Sequence, residues 1–464
     1  MLKKILLTLA AFGVVRLALS LLFPMTADES YYWLWSKHLA FSYVDHPPMV
    51  AIINYLMTGG RESLVLLRLG PVLITLLVSL VIYLMVREIW SEEVAFWSAI
   101  LFQIVPHFFV IWLTMFVELP LALCWITSIF LLVLIVKYHK PSLWYLMAVT
   151  IGLGTLSKYT MFLFWPCLAL FFILEPQFRF WLKKKEPYFC FILACLFFAP
   201  VFYWNSQHHF VSFLFHANKA ASDPLGANLL AFIADQLIHY AFLLFVLFNA
   251  YRYALKKRSP FSGLLFCFSA LPLAIFFLAA IKVKVWAHWP AIGYLTALPL
   301  ILANTKERGK PILPFLRNIA IFSALILIIL FWVSPGILLH QEGYARNYQL
   351  ADTIPKNIKI FARTNVSASL LEFYIKRTTY LATGFMKPGS LWGEKQYAFW
   401  GIPDLKKGES VLYYGEDNPD IRQQALKHFD KVSETDYRLY LIEDYINKYK
   451  MLQLEGFKGT SGHP

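Results

Sequence analysis

The sequence predicts an all-α polytopic membrane bundle of about eleven transmembrane helices with a small C-terminal α/β domain. Of the 464 residues, 59% are hydrophobic and 15% are charged, whereas ordinary globular domains carry roughly 25% charged residues. Apolar runs near the roughly 20 residues that cross a bilayer recur from Leu2 to about Leu339. The rest of the chain has an ordinary composition. We therefore predict a transmembrane domain over 1–339 and a soluble domain over 340–464.

The eleven predicted spans are separated by short loops. They cover residues 5–23, 63–86, 94–113, 119–136, 142–157, 159–174, 188–204, 237–255, 261–281, 290–303 and 319–339. We interpret the first span as an uncleaved helix, because Arg16 interrupts it and no small-residue cleavage site follows it. The sequence contains no internal repeat, which disfavours a transporter built from inverted repeats.

The net charge of +14 reports membrane orientation and does not indicate a nucleic-acid partner. Basic residues gather in the loops near 137–140, 179–185, 252–257 and 306–317. These are alternate loops, and cytoplasmic loops carry an excess of Lys and Arg. With the N-terminus inside, the segments 24–62, 114–118, 158–159, 205–236 and 282–289 and the C-terminal tail are predicted to lie outside.

The predicted outer segments hold nearly all of the candidate chemistry, in a set of acidic, basic and aromatic residues. The set comprises Asp28, Glu29, Tyr32, Asp45, His46, Glu118, Lys158, Tyr159, Lys284 and His288. The segment 205–236 adds His208, His209, His216 and Asp223, whose spacing matches no metal-ligand motif. Clusters of polar residues at membrane depth more often form functional sites than serve only in packing.

The residue types favour transfer of a phosphate-linked sugar on a lipid. The outer face has no Gly-rich phosphate loop and no Asp-x-Asp pair, and nucleotide donors are scarce outside the cytoplasm. A lipid-linked donor fits better, because cations can hold the departing phosphate while a carboxylate handles the acceptor proton. Lys158, Lys284 and His288 are the candidate phosphate ligands, and Asp28 is the candidate base.

Several motifs, taken together, resemble one family. They are Asp28-Glu29-Ser30-Tyr31-Tyr32-Trp33, Asp45-His46-Pro47-Pro48, Leu156-Ser157-Lys158-Tyr159-Thr160, Pro200 with Trp204-Asn205, His288-Trp289-Pro290 and, in the tail, Gln396-Tyr397-Ala398-Phe399-Trp400. In this order they resemble the bacterial PMT-type glycosyltransferases, relatives of the dolichyl-phosphate-mannose protein mannosyltransferases and of the lipid A aminoarabinose transferase. The resemblance covers residues 1 to about 300 well and the tail loosely.

The resemblance implies a GT-C fold in the bacterial inner membrane, with a polyprenyl-phosphate sugar donor and a periplasmic site. It implies that Asp28 is catalytic and that Glu118 is a second catalytic acid, although the family commonly has Asp-x-Pro where this chain has Glu118-Leu119-Pro120. It also implies that His46 contacts phosphate, and it places Glu29, Tyr32, Asp45 and Tyr159 among the substrate-binding residues. The expected partners are a lipid, glycan or protein acceptor and membrane lipids. No motif requires a metal, and the cofactor is left open.

Each assignment has a simpler alternative. Asp28 and Glu29 can be the N-cap and first-turn acid of an interfacial helix. Glu118 can cap the following helix, and Lys158 can extend from a helix end toward the headgroups. For the whole chain, the alternatives are a polytopic transporter or lipid-linked sugar flippase, and a scaffold subunit without activity.

The tail is predicted to form a small mixed α/β domain. It has an amphipathic helical stretch near Ser367–Ile375 and strand-like runs at Ser410–Tyr414 and Arg438–Ile442. This domain either covers the site and helps to bind the acceptor or is a packing module without chemistry.

Overall fold

The structure is a computed structural model that describes residues 1–221, 226, 228–257, 259–333, 352–383, 385–386, 391–437 and 449–459. Two predicted features, Asp223 and the run Arg438–Ile442, lie outside these residues. The described chain is mostly helical and ends in a small sheet. This architecture confirms the predicted fold class.

The described part of the first 333 residues is mostly helical, and most of its helices are predominantly apolar. They are α1 Leu2–Leu22, α2 Ala27–Lys37, α3 Met49–Thr58, α4 Leu64–Ile89, α5 Glu92–Ile104, α6 Pro106–Val110, α7 Glu118–Tyr138, α8 Ser142–Thr155, α9 Phe164–Leu174, α10 Glu186–Gln207, α11 Val211–Ala221, α12 Leu229–Lys257, α13 Pro260–Ala280, α14 Ala291–Glu307 and α15 Ile312–Val333. Short 3₁₀ helices cover Ile111–Leu113, Tyr159–Leu163 and Pro176–Lys183.

Each of the eleven predicted spans coincides with a helix or with a bent pair of helices over its described part. By length and composition alone, five helices of the described chain can cross a membrane. The number rises to seven if each of two bent pairs counts as one span. The pairs bend by 66° between Ile104 and Pro106 and by 87° between Tyr240 and Leu243. The count of eleven membrane crossings stays a prediction.

The helices over 69–329 pack closely. α8 packs between α7 and α10, and a Cβ on Gly152 of α8 would lie only 2.5 Å from Cγ of Phe197 on α10. Small residues at such contacts let helix backbones approach each other. The span predicted at 290–303 forms α14, which is buried along Ala291–Asn304 and therefore contacts protein on all sides.

The tail contains a five-stranded mixed sheet in the order β2-β1-β3-β5-β4. The strands are β1 Lys359–Ala362, β2 Thr379–Leu381, β3 Val411–Glu416, β4 Phe429–Glu434 and β5 Tyr449–Phe457, and the helices between them are α16 Asn365–Ile375, α17 Leu391–Trp400 and α18 Pro419–His428. The first three strands in space are parallel, whereas β5 is antiparallel to both of its neighbours. Phe361, Tyr413, Phe429 and Leu452 belong to the apolar core of this domain.

The chain divides into two compact units. The first comprises residues 1–17, 45–50 and 69–329, and the second comprises 18–44, 51–68 and 330–464. The second unit therefore combines the tail with most of the predicted first outer segment. The predicted domain boundary at residue 339 stays a prediction.

Candidate active site

Asp28 lies in the first turn of α2, a helix whose start is fixed by other residues. Thr26 is the N-cap, and its hydroxyl accepts a hydrogen bond from the Glu29 amide. The Glu29 side chain in turn accepts a bond from the Thr26 amide, which completes a capping box. Asp28 is exposed and is not the cap. The alternative that Asp28 is an N-cap is therefore wrong, and its charge is left without a capping role.

Glu29 forms an ion pair with Arg68 in which both side chains are fully buried. Arg68 Nε lies 2.5 Å from Glu29 Oε1. The Nη2 group of Arg68 donates a hydrogen bond to Glu29 Oε2 at 2.7 Å. Arg68 also donates to the carbonyls of Ser20 and Pro24 at 2.7 and 3.0 Å. This geometry gives Glu29 a structural role in holding α2, and its predicted contact with substrate stays a prediction.

The aromatic side chains of α2 form a packed cluster. Trp35 stacks on Tyr43 with ring centroids 4.1 Å apart, and Tyr32 meets the edge of Trp35 at 5.0 Å. Tyr32 is only 6% exposed. These contacts stiffen the helix that carries Asp28, and the predicted role of Tyr32 in substrate binding stays a prediction.

A helix of the tail, α16, packs directly on α2. The hydroxyls of Ser30 and Ser369 lie 2.9 Å apart, and Trp33 meets Phe373 edge to face at 5.0 Å. At the end of α2, Lys37 Nζ lies 2.8 Å from Glu372 Oε1. The tail therefore takes part in positioning the Asp28 helix.

Lys37 has a second acidic neighbour, Glu62, at 3.4 Å. Burial alone would lower the pKa of Lys37, but the charges and hydrogen bonds of Glu372 and Glu62 outweigh burial and raise this pKa above its ordinary value. Lys37 is therefore charged throughout the neutral range, and the contact between α2 and α16 is an ion pair.

In the other unit, Glu118, Lys158 and His288 come together. Lys158 Nζ donates to Glu118 Oε1, and His288 Nε2 lies 3.4 Å from the same oxygen. Glu118 is 2% exposed and Lys158 is 8% exposed. Trp289 places its ring 5.1 Å from Lys158 Nζ. The structure thus collects one carboxylate, one ammonium and one imidazole in a protected position, where charges interact more strongly than in water.

The two oxygens of the Glu118 carboxylate have different surroundings. Oε1 receives the two basic groups, whereas Oε2 is buried and has no hydrogen-bond partner among the described residues. Glu118 is the first residue of α7, whereas the N-cap is Val117, and the Glu118 carboxylate contacts Lys158 and His288. The alternative that Glu118 serves only as a cap is therefore not supported by its contacts. Lys158 is likewise a member of an ion pair and not simply a lysine that extends to the headgroups.

The Asp45-His46 turn contacts His216, a histidine of the predicted outer segment 205–236. His216 Nε2 lies 2.9 Å from the carbonyl oxygen of Asp45, and its ring lies 6.1 Å from His46 and 5.2 Å from Tyr159. The turn is tied to the end of α8 by a bond from the Met49 amide to the Leu156 carbonyl at 2.9 Å. The predicted residues Asp45, His46 and Tyr159 therefore form one cluster with His216.

Among the described residues, Lys284 contacts Trp286 and is not a member of the clusters above. It is exposed, and its ammonium lies 3.9 Å from the ring centroid of Trp286.

Within the described ranges, no group of three or more His, Cys, Asp or Glu residues is arranged to hold a metal ion.

A buried group around His107 was not predicted from the sequence. His107 is fully buried, and neither of its ring nitrogens has a hydrogen-bond partner in the described part of the chain. Its ring lies 5.1 Å from that of Tyr240 and 5.3 Å from that of His239. Tyr240 stacks on Tyr294 at 3.8 Å. The signal that could have found the group is a histidine inside an apolar span.

An apolar cavity of about 640 Å³ opens among α12, α13 and α14. Most of its lining is aliphatic or aromatic, and its polar lining residues are Gln236, Tyr251 and Tyr294. Tyr294 donates to Gln236 Oε1 at 2.9 Å.

Solved structures share this architecture. ArnT from Cupriavidus metallidurans in the apo state superposes with a TM-score of 0.71 at 12% identity, covering 97% of this chain and 98% of that one. ArnT bound to undecaprenyl phosphate gives a TM-score of 0.69 at 12% identity, covering 97% of both chains. The Archaeoglobus fulgidus oligosaccharyltransferase in the apo form gives 0.51 at 13% identity, covering 91% of this chain and 71% of that one. At these identities the likeness shows the fold.

The sequence comparison adds a family. The family model described as dolichyl-phosphate-mannose-protein mannosyltransferase matches residues 45–204. The matched range contains Asp45, His46, Glu118, Lys158 and Tyr159. None of the curated protein sequences is similar enough to this chain to count as a relative.

The chain shares the GT-C fold of the ArnT structures, and its residues 45–204 match the family described as dolichyl-phosphate-mannose-protein mannosyltransferase. The resemblance predicted from its motifs is therefore confirmed.

Proposed function

We propose that this protein moves a sugar from a polyprenyl-phosphate carrier to an acceptor at the periplasmic face of the bacterial inner membrane. The observation that carries the proposal is the contact of the buried Glu118 with the buried Lys158 and the half-buried His288, in a fold that the chain shares with ArnT bound to undecaprenyl phosphate. A lipid, an envelope glycan and a protein hydroxyl are all chemically suitable acceptors.

In the proposed reaction, an acceptor oxygen attacks the anomeric carbon of the sugar. The bond between this carbon and the phosphate oxygen breaks, and the polyprenyl phosphate leaves with both bonding electrons. Asp28 takes the acceptor proton or orients the acceptor. An acceptor that is itself a phosphate needs little base catalysis, and Asp28 then acts mainly in positioning.

Lys158 is suited to hold the leaving phosphate. An ammonium has three donor hydrogens, of which one is committed to Glu118 Oε1. The carboxylate thereby orients Lys158 while the remaining hydrogens stay available for phosphate oxygens. His288 is the second donor of the set, and we propose Lys284 and His46 as further phosphate contacts. In this scheme Glu118 supports charge in the transition state by positioning the cations.

The positive-inside bias of the loops supports a cytoplasmic N-terminus and a periplasmic tail. The packing of α16 on α2 agrees with this arrangement, because two segments in direct contact lie on the same side of a membrane.

The test is a comparison of lipids and envelope glycans from cells with and without the gene. We expect cells that lack the gene to accumulate a glycosyl polyprenyl phosphate and to lose one sugar from lipid A, another envelope glycan or a protein. Accumulation of the donor confined to the cytoplasmic leaflet would instead indicate a flippase. Unchanged lipid and glycan profiles would contradict the proposal.

A further inference from the structure

The sheet of the tail has a topological switch point between β1 and β3. The chain passes from β1 through α16 to β2 on one side of β1, and then through α17 to β3 on the other side. These three strands are parallel, so that their carboxyl ends lie at the same edge of the sheet. In open α/β sheets, ligands bind in the crevice outside the carboxyl ends of the strands at such a point. The residues that follow β1 and β3 line this crevice.

An ion pair spans the crevice. Arg363 follows β1, and its amide donates to the Tyr414 carbonyl of β3 at 3.0 Å. Nη1 of Arg363 lies 2.6 Å from Glu416 Oε2, and both residues are half-buried. The neighbouring Asp417 is held elsewhere, because Arg422 donates to its two carboxylate oxygens at 2.6 and 2.9 Å. Arg363 is therefore the cation of the crevice, and Glu416 is the anion that it holds.

A buried hydroxyl lies beside this ion pair. Tyr413 is fully buried, and its hydroxyl has no hydrogen-bond partner among the described residues. Its ring extends along β3 toward the end of the strand, because a Cβ on Gly415 would lie 2.6 Å from Tyr413 Cζ. Burial raises the pKa of Tyr413, and the nearby charge of Arg363 opposes this rise. A ligand oxygen at Arg363 would supply the acceptor that this hydroxyl lacks, and leaving a buried donor unpaired is costly.

The N-terminus of α16 lies at the same crevice. α16 begins at Asn365, two residues after Arg363, and its N-cap Thr364 accepts a hydrogen bond from the Ser367 amide at 3.0 Å. The first amides of a helix have no partners within the helix, and the positive end of the helix dipole favours an anion. The first turn of α16 contains no acidic residue, so that the helix itself does not supply this anion.

We infer that this crevice binds a phosphate group, which replaces the Glu416 carboxylate as the partner of Arg363. The guanidinium fork matches the geometry of phosphate. The Tyr413 hydroxyl and the amino end of α16 are further donors for the remaining phosphate oxygens. Glu416 is half-buried and can be solvated when it leaves the pair. A sugar phosphate and a lipid headgroup both carry such a group.

The crevice is close to the contact between α16 and α2. Ser369, whose hydroxyl lies 2.9 Å from that of Ser30, follows Asn365 by four residues, which is about 6 Å along the helix. An acceptor held by its phosphate is thereby anchored to the helix that packs against the Asp28 helix. This consequence rests on the proposed function, whereas the binding of phosphate does not.

The test titrates the purified full chain, in phosphatidylcholine nanodiscs, with glucose 1-phosphate and records the heat of binding. Glucose is the matched ligand without phosphate, and we expect it not to bind. We expect Arg363→Gln to weaken binding of glucose 1-phosphate by about tenfold or more and Tyr413→Phe to weaken it severalfold, because each removes a donor. Glu416→Gln should instead strengthen binding severalfold, because it removes the competing charge. A purely structural ion pair would not give changes of opposite sign.

The matched controls come from an ion pair at the other end of the sheet. Lys431 Nζ lies 3.2 Å from Glu455 Oε1, and Glu455 follows Leu454, the partner of Val411 at the amino end of β3. We expect Lys431→Gln and Glu455→Gln to leave the binding of glucose 1-phosphate unchanged.

Nanodiscs that contain phosphatidic acid distinguish the two sources of phosphate. If these nanodiscs weaken the binding of glucose 1-phosphate to the natural protein, the site takes a lipid headgroup. Unchanged binding assigns it to a phosphate outside the membrane. Either result supports a phosphate site.

Three results would overturn the inference. The natural protein fails to bind glucose 1-phosphate, or binds it no better than the folded Arg363→Gln variant does, or binds it more tightly than the Glu416→Gln variant does. Binding that is lost only when Lys158→Met is combined with Glu118→Gln would belong to the proposed donor site and would also overturn it. The proposed function is tested separately, because it depends on sugar transfer and not on this binding.

Discussion

Asp28 carries an exposed carboxylate at the start of α2, while Thr26 and Glu29 supply the cap. Replacing Asp28 with Asn keeps the shape of the side chain and removes its charge. Because Asp28 is not the cap, we expect normal folding and a loss of transfer on the order of a hundredfold or more. Transfer is measured with purified protein, and thermal unfolding is followed in parallel. A folded Asp28→Asn variant with near-normal transfer would exclude a catalytic role.

Lys158 pairs with Glu118 and is proposed to bind the donor phosphate, and a double variant separates these two roles. Lys158→Met alone leaves the buried Glu118 carboxylate without its strongest partner, which costs about 3–5 kcal/mol where a buried ion pair is broken. Combining it with Glu118→Gln removes the unpaired charge. We expect the double variant to regain thermal stability but not use of the polyprenyl-phosphate donor. Recovery of both properties would show that the pair is purely structural.

An arginine at position 158 refines the same test. Lys158→Arg keeps the charge but replaces a compact ammonium with a planar fork. We expect it to rescue donor binding only in part, as measured by donor titration. Full rescue would indicate that only the charge matters at this position.

For single residues, the sequence predicted which side chains belong to the candidate site better than it predicted their contacts. Glu118, Lys158 and His288 were all predicted, because charged residues are rare at the edges of apolar spans. Their mutual contacts, and the pairing of Glu29 with Arg68, depend on helices brought together by folding. His216 was named in the predicted outer set, but its contact with Asp45 depends on folding in the same way.

Among the secondary-structure elements, α16 helps to position Asp28 through its contact with α2. Glu372→Lys places two like charges at the end of α2, and we expect a loss of about 1–3 kcal/mol in stability, between the values for exposed and buried pairs, with reduced transfer. The exchange Lys37→Glu with Glu372→Lys restores opposite charges and should recover most of both. Rescue stays incomplete because Glu62 then faces a glutamate. No rescue by the exchange would contradict the assignment of this ion pair.

The periodicity of the sequence predicted where helices and strands lie, but it did not predict where they end or bend. The predicted helix near Ser367–Ile375 is α16, which begins two residues earlier at Asn365. The predicted strand at Ser410–Tyr414 overlaps β3, which begins at Val411 and ends at Glu416. The predicted outer segment 158–159 leads directly into a 3₁₀ helix over Tyr159–Leu163. The break before Pro106 has a local cause, because a proline removes a backbone donor. The association of α2 with the tail had no signal in either segment.

For the whole molecule, the arrangement across the membrane is tested by labelling. The five cysteines are free, and none is exposed, so that a cysteine-free background is a feasible start. Phe41→Cys and Lys407→Cys introduce thiols at exposed positions of the predicted outer segments, and Lys184→Cys introduces one in a predicted inner loop. In intact spheroplasts we expect an impermeant maleimide to label the first two and not the third. Labelling of only one of the first two would contradict the shared side.

The fold class was predictable because composition, loop charge and six ordered motifs point to the same architecture. The sugar and the acceptor were not predictable, since recognition of a hydroxyl pattern depends on side chains that converge from distant parts of the chain. The fold leaves this question open as well, because GT-C relatives share an architecture and not a substrate.

The central claim is that the protein transfers a sugar from a polyprenyl phosphate. The most direct test incubates the purified protein with undecaprenyl phosphate that carries mannose or 4-amino-4-deoxyarabinose, together with lipid A, glycan and peptide acceptors. We predict acceptor-dependent release of undecaprenyl phosphate with one donor, and its loss in the Asp28→Asn and Glu118→Gln variants. Release at the same rate in these variants, or no release from any donor with any acceptor, would contradict the account.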